Sequence, residues 1–439
     1  MTGLSQLLLG WSKPGRRSNS KPVHDDGEGH LVTIAPTGGG KGVSALIPAL
    51  LSWQGPAIVI DPKGEAFNVT ARRRLDLGQE VFLLDPFGVT DADADSLNPL
   101  DLIEPGSPTA ADDAAMLSYL LSSGAEHRQD PFWDDRARAV ITAALIDVMH
   151  ENIADCAPTL GAVRQLIAGL GGRGIASVRW LGSPRAEVQA AAAALHYDPR
   201  VLSSILATAQ THTSFLRSGP VQDALASSTI RLADITAGTP MTLYLVLPPD
   251  KLVSHGRLLR LWLGVVLAAL SRRREIPPVP TLLLVDEAAQ LGTLEPLLTA
   301  VTLLRGYGVK VWSFWQDLAQ LKTLYPQSWT TLLNNCQSQQ IFAPASPHAA
   351  ADLEEYLAGA SPVALSSLGP DDVLVTRKGE RPRVLRRADY RHDPQYAGQF
   401  DANPFYRHRA QPATAPETRS GNVLAFPEQR PHPEPRCRL

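Results

Sequence analysis

The sequence predicts an α/β fold, a mainly parallel sheet wound with helices and carrying an all-helical insertion, and three observations predict it. From His30 onward short β-rich apolar runs alternate with helical patterns; from 108 to about 225 the strand-like runs disappear; after that they return. Alternation of strand and helix patterns is the mark of a parallel sheet whose crossovers are helices.

In chain order, the first 29 residues combine Lys13, Arg16 and Arg17 with scattered Ser, Pro and Gly. They show no hydrophobic period and are expected to form an irregular leader (1–29). The first part of the sheet domain (30–107) then runs HLVTIAP, VSALIPALL, AIVIDP, the Glu65 to Leu77 segment and EVFLLDP, alternately strand and helix. Residues 108–225 are rich in Ala, Leu, Asp and Arg, with helical spacing at Ala137 to Met149 and Glu187 to Leu195. The second part of the sheet domain (226–395) brings MTLYLVLP, TLLLVDEA, VKVWSFWQ and QQIFAPA, separated by helices such as Leu258 to Arg273 and Pro296 to Arg305. Beyond about residue 370, DDVLVTRKGERPRVLRRADY reads as a pair of short strands. The Pro/Arg-rich tail, 396–439, is expected to be disordered.

A chain of 439 residues suits two or three domains, at roughly 100 to 200 residues each. The net charge of −3 lacks the basic excess that sequence-independent nucleic-acid binding leaves in a whole composition, so any such contact must be local. Cys156, Cys336 and Cys437 are too widely spaced for a disulfide framework or a CxxC metal site, and the histidines show no zinc spacing. The apolar runs fall short of the roughly 20 residues a membrane helix needs. Leu7 to Trp11 lacks the flanks of a signal peptide. A cytoplasmic protein is expected, held at a membrane only by a partner.

The first chemical signal is Ala35-Pro36-Thr37-Gly38-Gly39-Gly40-Lys41-Gly42, which follows a strand and opens an amphipathic helix at Val43. That context suits a phosphate-binding loop. Gly38, Gly39 and Gly40 let the backbone turn tightly so that N–H groups converge on phosphate oxygens at a helix N-terminus, and Lys41 adds a mobile positive charge. Two positions depart from G-x-x-x-x-G-K-[ST]: Ala35 replaces the first glycine, and Gly42 stands where a hydroxyl would hold magnesium. Thr37, Ser44 or an extra water are the available substitutes.

The second signal is Thr281-Leu-Leu-Leu-Val-Asp286-Glu287, a buried-strand pattern delivering two acids to the carboxyl edge of a parallel sheet. In nucleotide hydrolases of this design the first acid, Asp286, holds Mg²⁺ directly or through water and the next, Glu287, polarises the attacking water. Asp61, which ends a strand in Asp61-Pro-Lys-Gly-Glu65, is a further candidate for the nucleotide site.

Together these segments resemble the TraG/TraD-type coupling proteins of conjugative type IV secretion. The matching stretches are APTGGGKGV, VIDPKGE, GQEVFLLDPFG with SLNPLD, LLLVDEAAQLG and RGYGVKVWSFWQDLAQLKTLYP, in the family's order and spacing. Weaker similarity at DPFWDDRARAVITAAL and TLYLVLPPDKL extends the match over about residues 30 to 390. Glycine after the loop lysine is usual in that family.

The resemblance implies a RecA-like P-loop NTPase domain with an inserted all-α domain, assembled as a homo-hexamer on DNA with ATP and Mg²⁺ at the subunit junctions. It implies Lys41 as the phosphate lysine, Asp286 as the magnesium acid and Glu287 as the catalytic acid. It places Arg305 as an arginine projected into the neighbouring subunit's site, and Gln316 as the γ-phosphate-sensing glutamine. A guanidinium in that role offers planar donors to phosphoryl oxygens and makes hydrolysis depend on the neighbour. The implied function is an ATP-hydrolysing coupling protein that drives DNA, with its relaxase, to the type IV secretion channel. A protein-docking ATPase that pumps no DNA, and a non-hydrolysing nucleotide switch, are the alternatives. Family members usually begin with transmembrane helices, and none is found in this sequence.

Arginines cluster at 72–74, 272–274 and 381–387, and Trp312, Phe314 and Trp315 lie together. Clustered arginines on one face of a ring would suit phosphates, but charge runs at helix ends are commonly solvated faces. Trp312 and Phe314 are expected to point into the core from one side of their strand.

Overall fold

The computed structural model describes residues 6–13, 19–25, 27–122, 131–150, 158–170, 180–194 and 198–406. Eleven strands form one sheet: β1 (Leu7–Ser12), β2 (Pro22–Asp25), β3 (His30–Ile34), β4 (Ala57–Ile60), β5 (Glu80–Leu84), β6 (Met241–Leu245), β7 (Thr281–Val285), β8 (Val309–Trp315), β9 (Cys336–Phe342), β10 (Asp372–Arg377) and β11 (Arg383–Arg386). Their order is β2-β1-β11-β10-β9-β3-β8-β7-β4-β6-β5. The seven strands from β9 to β5 are all parallel, and β10, β11, β1 and β2 extend the sheet antiparallel.

The parallel strands are apolar on both faces because both faces are covered. β3, β4, β6, β7 and β8 are buried along their whole length. Alternate residues divide between two cores. Val32, Ile34, Ile58, Ile60, Leu283, Val285 and Val311 pack with the Pro249–Ser271 helix and the helices that follow β5. Leu31, Ala57, Val59, Leu282, Leu284, Trp312 and Phe314 pack with the helices Ile47–Ser52 and Glu65–Asp76. The result is three layers, helix on sheet on helix. Trp312 and Phe314 do share one face, their rings stacked at 5.3 Å, so neither is available to a nucleobase.

Between β5 and β6 the described residues contain only helical elements, among them Ala110–Ser122, Pro131–His150, Leu160–Gly169, Ala186–Ala194, Pro199–His212 and Gly219–Ala224. Their apolar faces join the first core. The Pro249–Ser271 helix is by length and composition apolar enough to cross a membrane, and it is the one such helix among the described residues. Here it lies in the core, where Leu258, Leu261, Trp262 and Val265 are fully buried. Gly264 permits its close approach to the Ala110–Ser122 helix, since a Cβ there would stand 2.4 Å from Leu120 Cδ2.

Two expectations at the chain ends are corrected. The leader 1–29 is not irregular in its described part: β1 and β2 form the far edge of the sheet. Leu7, Leu8 and Leu9 are buried together, so the run carries no alternation to betray a strand. Gly10 (φ +148°) passes so close to β11 that a Cβ would stand 2.8 Å from the Arg386 carbonyl oxygen. The segment is pinned by a buried ion pair between Asp25 and Lys310 Nζ, with Ser338 Oγ donating to the same carboxylate at 2.5 Å. Asp25→Ala leaves the Lys310 ammonium without its carboxylate and is expected to cost roughly 3–5 kcal/mol, read as a shift in the denaturant midpoint. A shift under about 1 kcal/mol would show that the pair is not what holds β2.

The tail expected to be disordered from 396 is instead packed as far as Asn403; residues 407–439 lie outside the described residues. Phe400 packs edge-on to Tyr390 at 4.8 Å, and Asp401 N–H donates to the Val69 carbonyl at 3.0 Å. Its polarity concealed a segment that lies along the Glu65–Asp76 helix, with Arg72 Nε donating to Asp401 at 2.8 Å.

Candidate functional site

β3, β8, β7 and β4 are neighbours, and their carboxyl ends carry the phosphate loop, Gln316, Asp286 with Glu287, and Asp61 in that order. The chain leaves β3 and returns in β4 with β8 and β7 between them, which opens the crevice where parallel α/β sheets bind ligands.

The loop has the backbone its glycines predicted. Gly38 (φ +72°) and Gly40 (φ +83°) are both left-handed, and Gly39 N–H closes a turn on the Pro36 carbonyl at 2.8 Å. Pro36, Gly39, Gly40, Lys41 and Gly42 are partly exposed, Thr37 and Gly38 are exposed, and Val43 is buried under the helix. The helix opens with a wide turn in which Ile47 N–H reaches the Gly42 carbonyl five residues back, a distortion that recurs at functional sites.

Lys41 Nζ lies 3.1 Å from Asp286 Oδ1 and 2.8 Å from Glu287 Oε1. The loop lysine and both strand acids therefore meet, 245 residues apart in sequence for the nearer acid (286 minus 41). Gln316 Nε2 donates to Glu287 Oε2 at 3.1 Å, and the backbone N–H of Gln316 is held by Gln320 Oε1 at 2.9 Å. Glu287 is left-handed (φ 48°), a conformation costing roughly 1–2 kcal/mol for a residue with a Cβ. Contacts to Lys41 and Gln316 fix its carboxylate against that strain.

The two acids differ electrostatically. Burial raises the Asp286 carboxyl above the ordinary range despite Lys41. Burial also pushes Glu287 upward, but Lys41, the Gln316 amide and Lys63 outweigh it, so the carboxyl sits below the usual range. Glu287 is thus anionic and ready to accept a proton, and Asp286 gains from any further cation.

Asp61 is fully buried and its Oδ2 accepts the Phe67 N–H at 2.9 Å, anchoring the start of the Glu65–Asp76 helix. Burial, with the negative charges of Asp286 and Glu65, raises its pKa to about 7. A folded value above the unfolded one means stability present at low pH and lost as pH rises from about 4 through about 7. With chelator present and no nucleotide, Asp61→Asn is expected to remove that loss: wild type and variant diverge in melting temperature at pH 8 more than at pH 4. Equal differences at both pH values would contradict the shifted carboxyl.

Arg305 is not brought to this site. It precedes the start of β8 and Gln316 follows its end, which separates them by the length of a seven-residue strand, roughly 20 Å. Its Nη2 lies 3.8 Å from Glu28 Oε2, both side chains exposed. The arginine clusters also resolve. Arg74 is buried, donating to carbonyls of Leu50, Trp53 and Gly55 and to Thr242 Oγ1 and Gln79 Oε1. Arg273 donates likewise to carbonyls of Ile235, Thr236, Tyr307 and Gly308. Both cap carbonyls at helix ends, neither solvated nor offered to phosphate. Burial lowers each to about 10, still charged at neutral pH.

Three contacts on the loop escaped the sequence reading. Arg387 donates from Nη1 to the Gly39 carbonyl, its guanidinium lying over the Phe342 ring at 4.9 Å. Glu65 faces Gly42, and Asn403 Nδ2 holds Glu65 Oε1 at 2.6 Å. Glu65 was visible as the last residue of DPKGE; nothing in a polar tail marked Asn403.

The family model described as type IV secretory system conjugative DNA transfer matches residues 13–363. The chain belongs to that family. Among curated relatives it is 26% identical over 346 residues to a conjugal transfer protein TraG of Escherichia coli, covering 73% of this chain and 54% of the relative. It is 27% identical over 312 residues to VirD4 of Agrobacterium fabrum, covering 67% and 44%. The chain thus spans about half the length of the curated relatives it matches. Among solved structures, the plasmid coupling protein TrwB in complex with a GTP analogue matches with a TM-score of 0.66 at 16% identity, covering 89% of this chain and 97% of that one. VirB4 of Thermoanaerobacter pseudethanolicus matches at 0.56 and 13% identity, covering 89% and 97%. The fold is that of a RecA-like P-loop NTPase with an inserted helical domain.

Proposed function

We propose that this chain is the ATP-hydrolysing part of a conjugative coupling protein, using ATP with Mg²⁺ to drive DNA, with its relaxase, to a type IV secretion channel. The observation that carries the reading is the meeting of Lys41 with Asp286 and Glu287 at the ends of β3 and β7, beside a loop of left-handed glycines. Membership of the conjugative DNA transfer family supports it. So do TrwB structures described as complexes with the ATP analogue ADPNP and with ADP and Mg²⁺.

Each residue has a chemical role in this reading. The loop N–H groups and Lys41 bind the phosphates. Mg²⁺, when bound, neutralises phosphoryl charge, and Asp286 fits it, as a partly buried carboxylate with one cation already at 3.1 Å. Glu287 takes the proton of the attacking water, and Gln316, which donates to its other oxygen, serves as the γ-phosphate sensor. Arg305, on the far side of the chain from its own loop, serves the next subunit's site in a homo-hexamer around DNA. Membrane attachment comes through partners.

The test is steady-state ATP hydrolysis across protein concentrations, with and without single- and double-stranded DNA, beside Glu287→Gln. Turnover that rises with concentration and DNA, and is lost in the variant, supports the reading. DNA-indifferent turnover points to a protein-docking ATPase, and tight ATP binding without turnover to a switch.

A further inference from the structure

The loop lacks the hydroxyl that follows the lysine in most phosphate loops, yet space is not the reason. Gly42 opens the wide turn without a left-handed φ, and a Cβ built on it would meet nothing closer than Glu65 Oε1, at 3.9 Å. A serine would fit and would extend its hydroxyl from a Cβ already facing that carboxylate. The place a loop hydroxyl would normally fill is therefore bordered by a carboxylate from the first turn of the next helix.

Glu65 is built into this position. It is partly buried at the start of the Glu65–Asp76 helix, behind the left-handed Gly64 (φ +65°). Asn403, itself 8% exposed, donates to Oε1 at 2.6 Å and is placed by its own Oδ1 accepting the Phe405 N–H at 3.0 Å. Oε2 has no hydrogen-bond partner among the described residues. The oxygen that faces Gly42 is Oε1, the one Asn403 holds, and a carboxylate whose ligating oxygen is oriented by a hydrogen bond is how outer-shell groups prepare a metal ligand. Around it stand Lys41, Lys63, Asp61 and Asp286, close enough to act electrostatically on it.

We propose that Glu65 takes the place of the missing loop hydroxyl as a ligand of the nucleotide-associated magnesium, directly or through one of its waters, in addition to Asp286, with Asn403 as its positioning residue. A hard cation that keeps several waters and takes one or two carboxylates beside the phosphates suits such a pair. Glycine at 42 then follows, because a hydroxyl would compete with the carboxylate for the same position. Thr37, exposed at the loop tip, and Ser44, buried in the helix, are displaced from that role. The inference rests on the nucleotide-binding reading above.

The test separates metal from nucleotide. Mn²⁺ binding to the ADP complex of the full chain is followed by electron paramagnetic resonance, and ADP affinity in excess chelator by calorimetry. Glu65→Gln is expected to weaken Mn²⁺ roughly 10- to 100-fold while leaving chelator-state ADP affinity within about twofold. Adding Gly42→Ser to that variant restores metal binding. Asn403→Ala, which keeps the carboxylate but frees it, weakens Mn²⁺ less than Glu65→Gln does. Wild-type metal affinity in a Glu65→Gln protein that still binds ADP overturns the inference and leaves the functional reading standing. Failure of the wild type to bind ADP overturns both.

Discussion

Arg305→Ala is expected to lower ATP turnover by roughly 10³-fold or more, the scale set by arginines that reach a phosphoryl group from a neighbouring subunit, with nucleotide affinity nearly unchanged. The reason lies in the sheet. β8 runs from the Arg305 end of the molecule to Gln316 at the loop end, so a single chain cannot bring both to one nucleotide, whereas the proposed homo-hexamer would set the Arg305 face of one subunit against the loop face of the next. Mixing supplies the decisive measurement. Arg305→Ala and Lys41→Ala subunits each keep only a small residual turnover alone, but a mixed ring would contain junctions that join an intact loop to an intact Arg305, and turnover rises well above both. If mixing restores nothing and Arg305→Ala alone retains wild-type turnover, the residue has no catalytic part and its exposed contact with Glu28 is all it makes.

Lys41→Ala is expected to reduce turnover by roughly 10²- to 10³-fold, as loss of one charged donor to a transition state does, and to weaken nucleotide binding as well. A second effect distinguishes it from simple loss of a phosphate contact. Lys41 Nζ is the cation shared by Asp286 and Glu287; without it the two carboxylates repel and both pKa values rise. The pH at which activity is half-lost on acidification should therefore move upward in the residual activity of Lys41→Ala, and Lys41→Arg should restore that pH while recovering less of the rate, since a planar fork does not replace a compact ammonium. An unshifted profile would mean that the lysine touches phosphate alone.

The parallel part of the sheet was legible because most of its strands are short apolar runs bounded by turn residues: those at β3 to β8 form where the sequence placed them, whereas β9 begins at Cys336, three residues before the QQIFAPA run, in the polar stretch CQSQQ. The loop and the two acids were legible because glycines, lysine and Asp-Glu occur at the ends of those runs. Leu7 to Leu9 were not, since a strand buried on both faces at a sheet end has no period to read. Nor were Arg74 and Arg273, whose sequence neighbours are further arginines. Only folding reveals that each satisfies its guanidinium with main-chain carbonyls rather than with solvent.

By itself the sequence determined the α/β class, the phosphate loop, the acid pair and the family, because those depend on local backbone chemistry and on order along the chain. The tertiary structure decided which distant groups meet: that Lys41 lies between Asp286 and Glu287, that Gln316 closes on Glu287, that Arg305 lies away from its own loop, and that Glu65, held by Asn403, faces Gly42. Those contacts join residues tens to hundreds of positions apart through strand order and crossover packing. That information lies in how the whole chain fills its two cores, and no local pattern carries it.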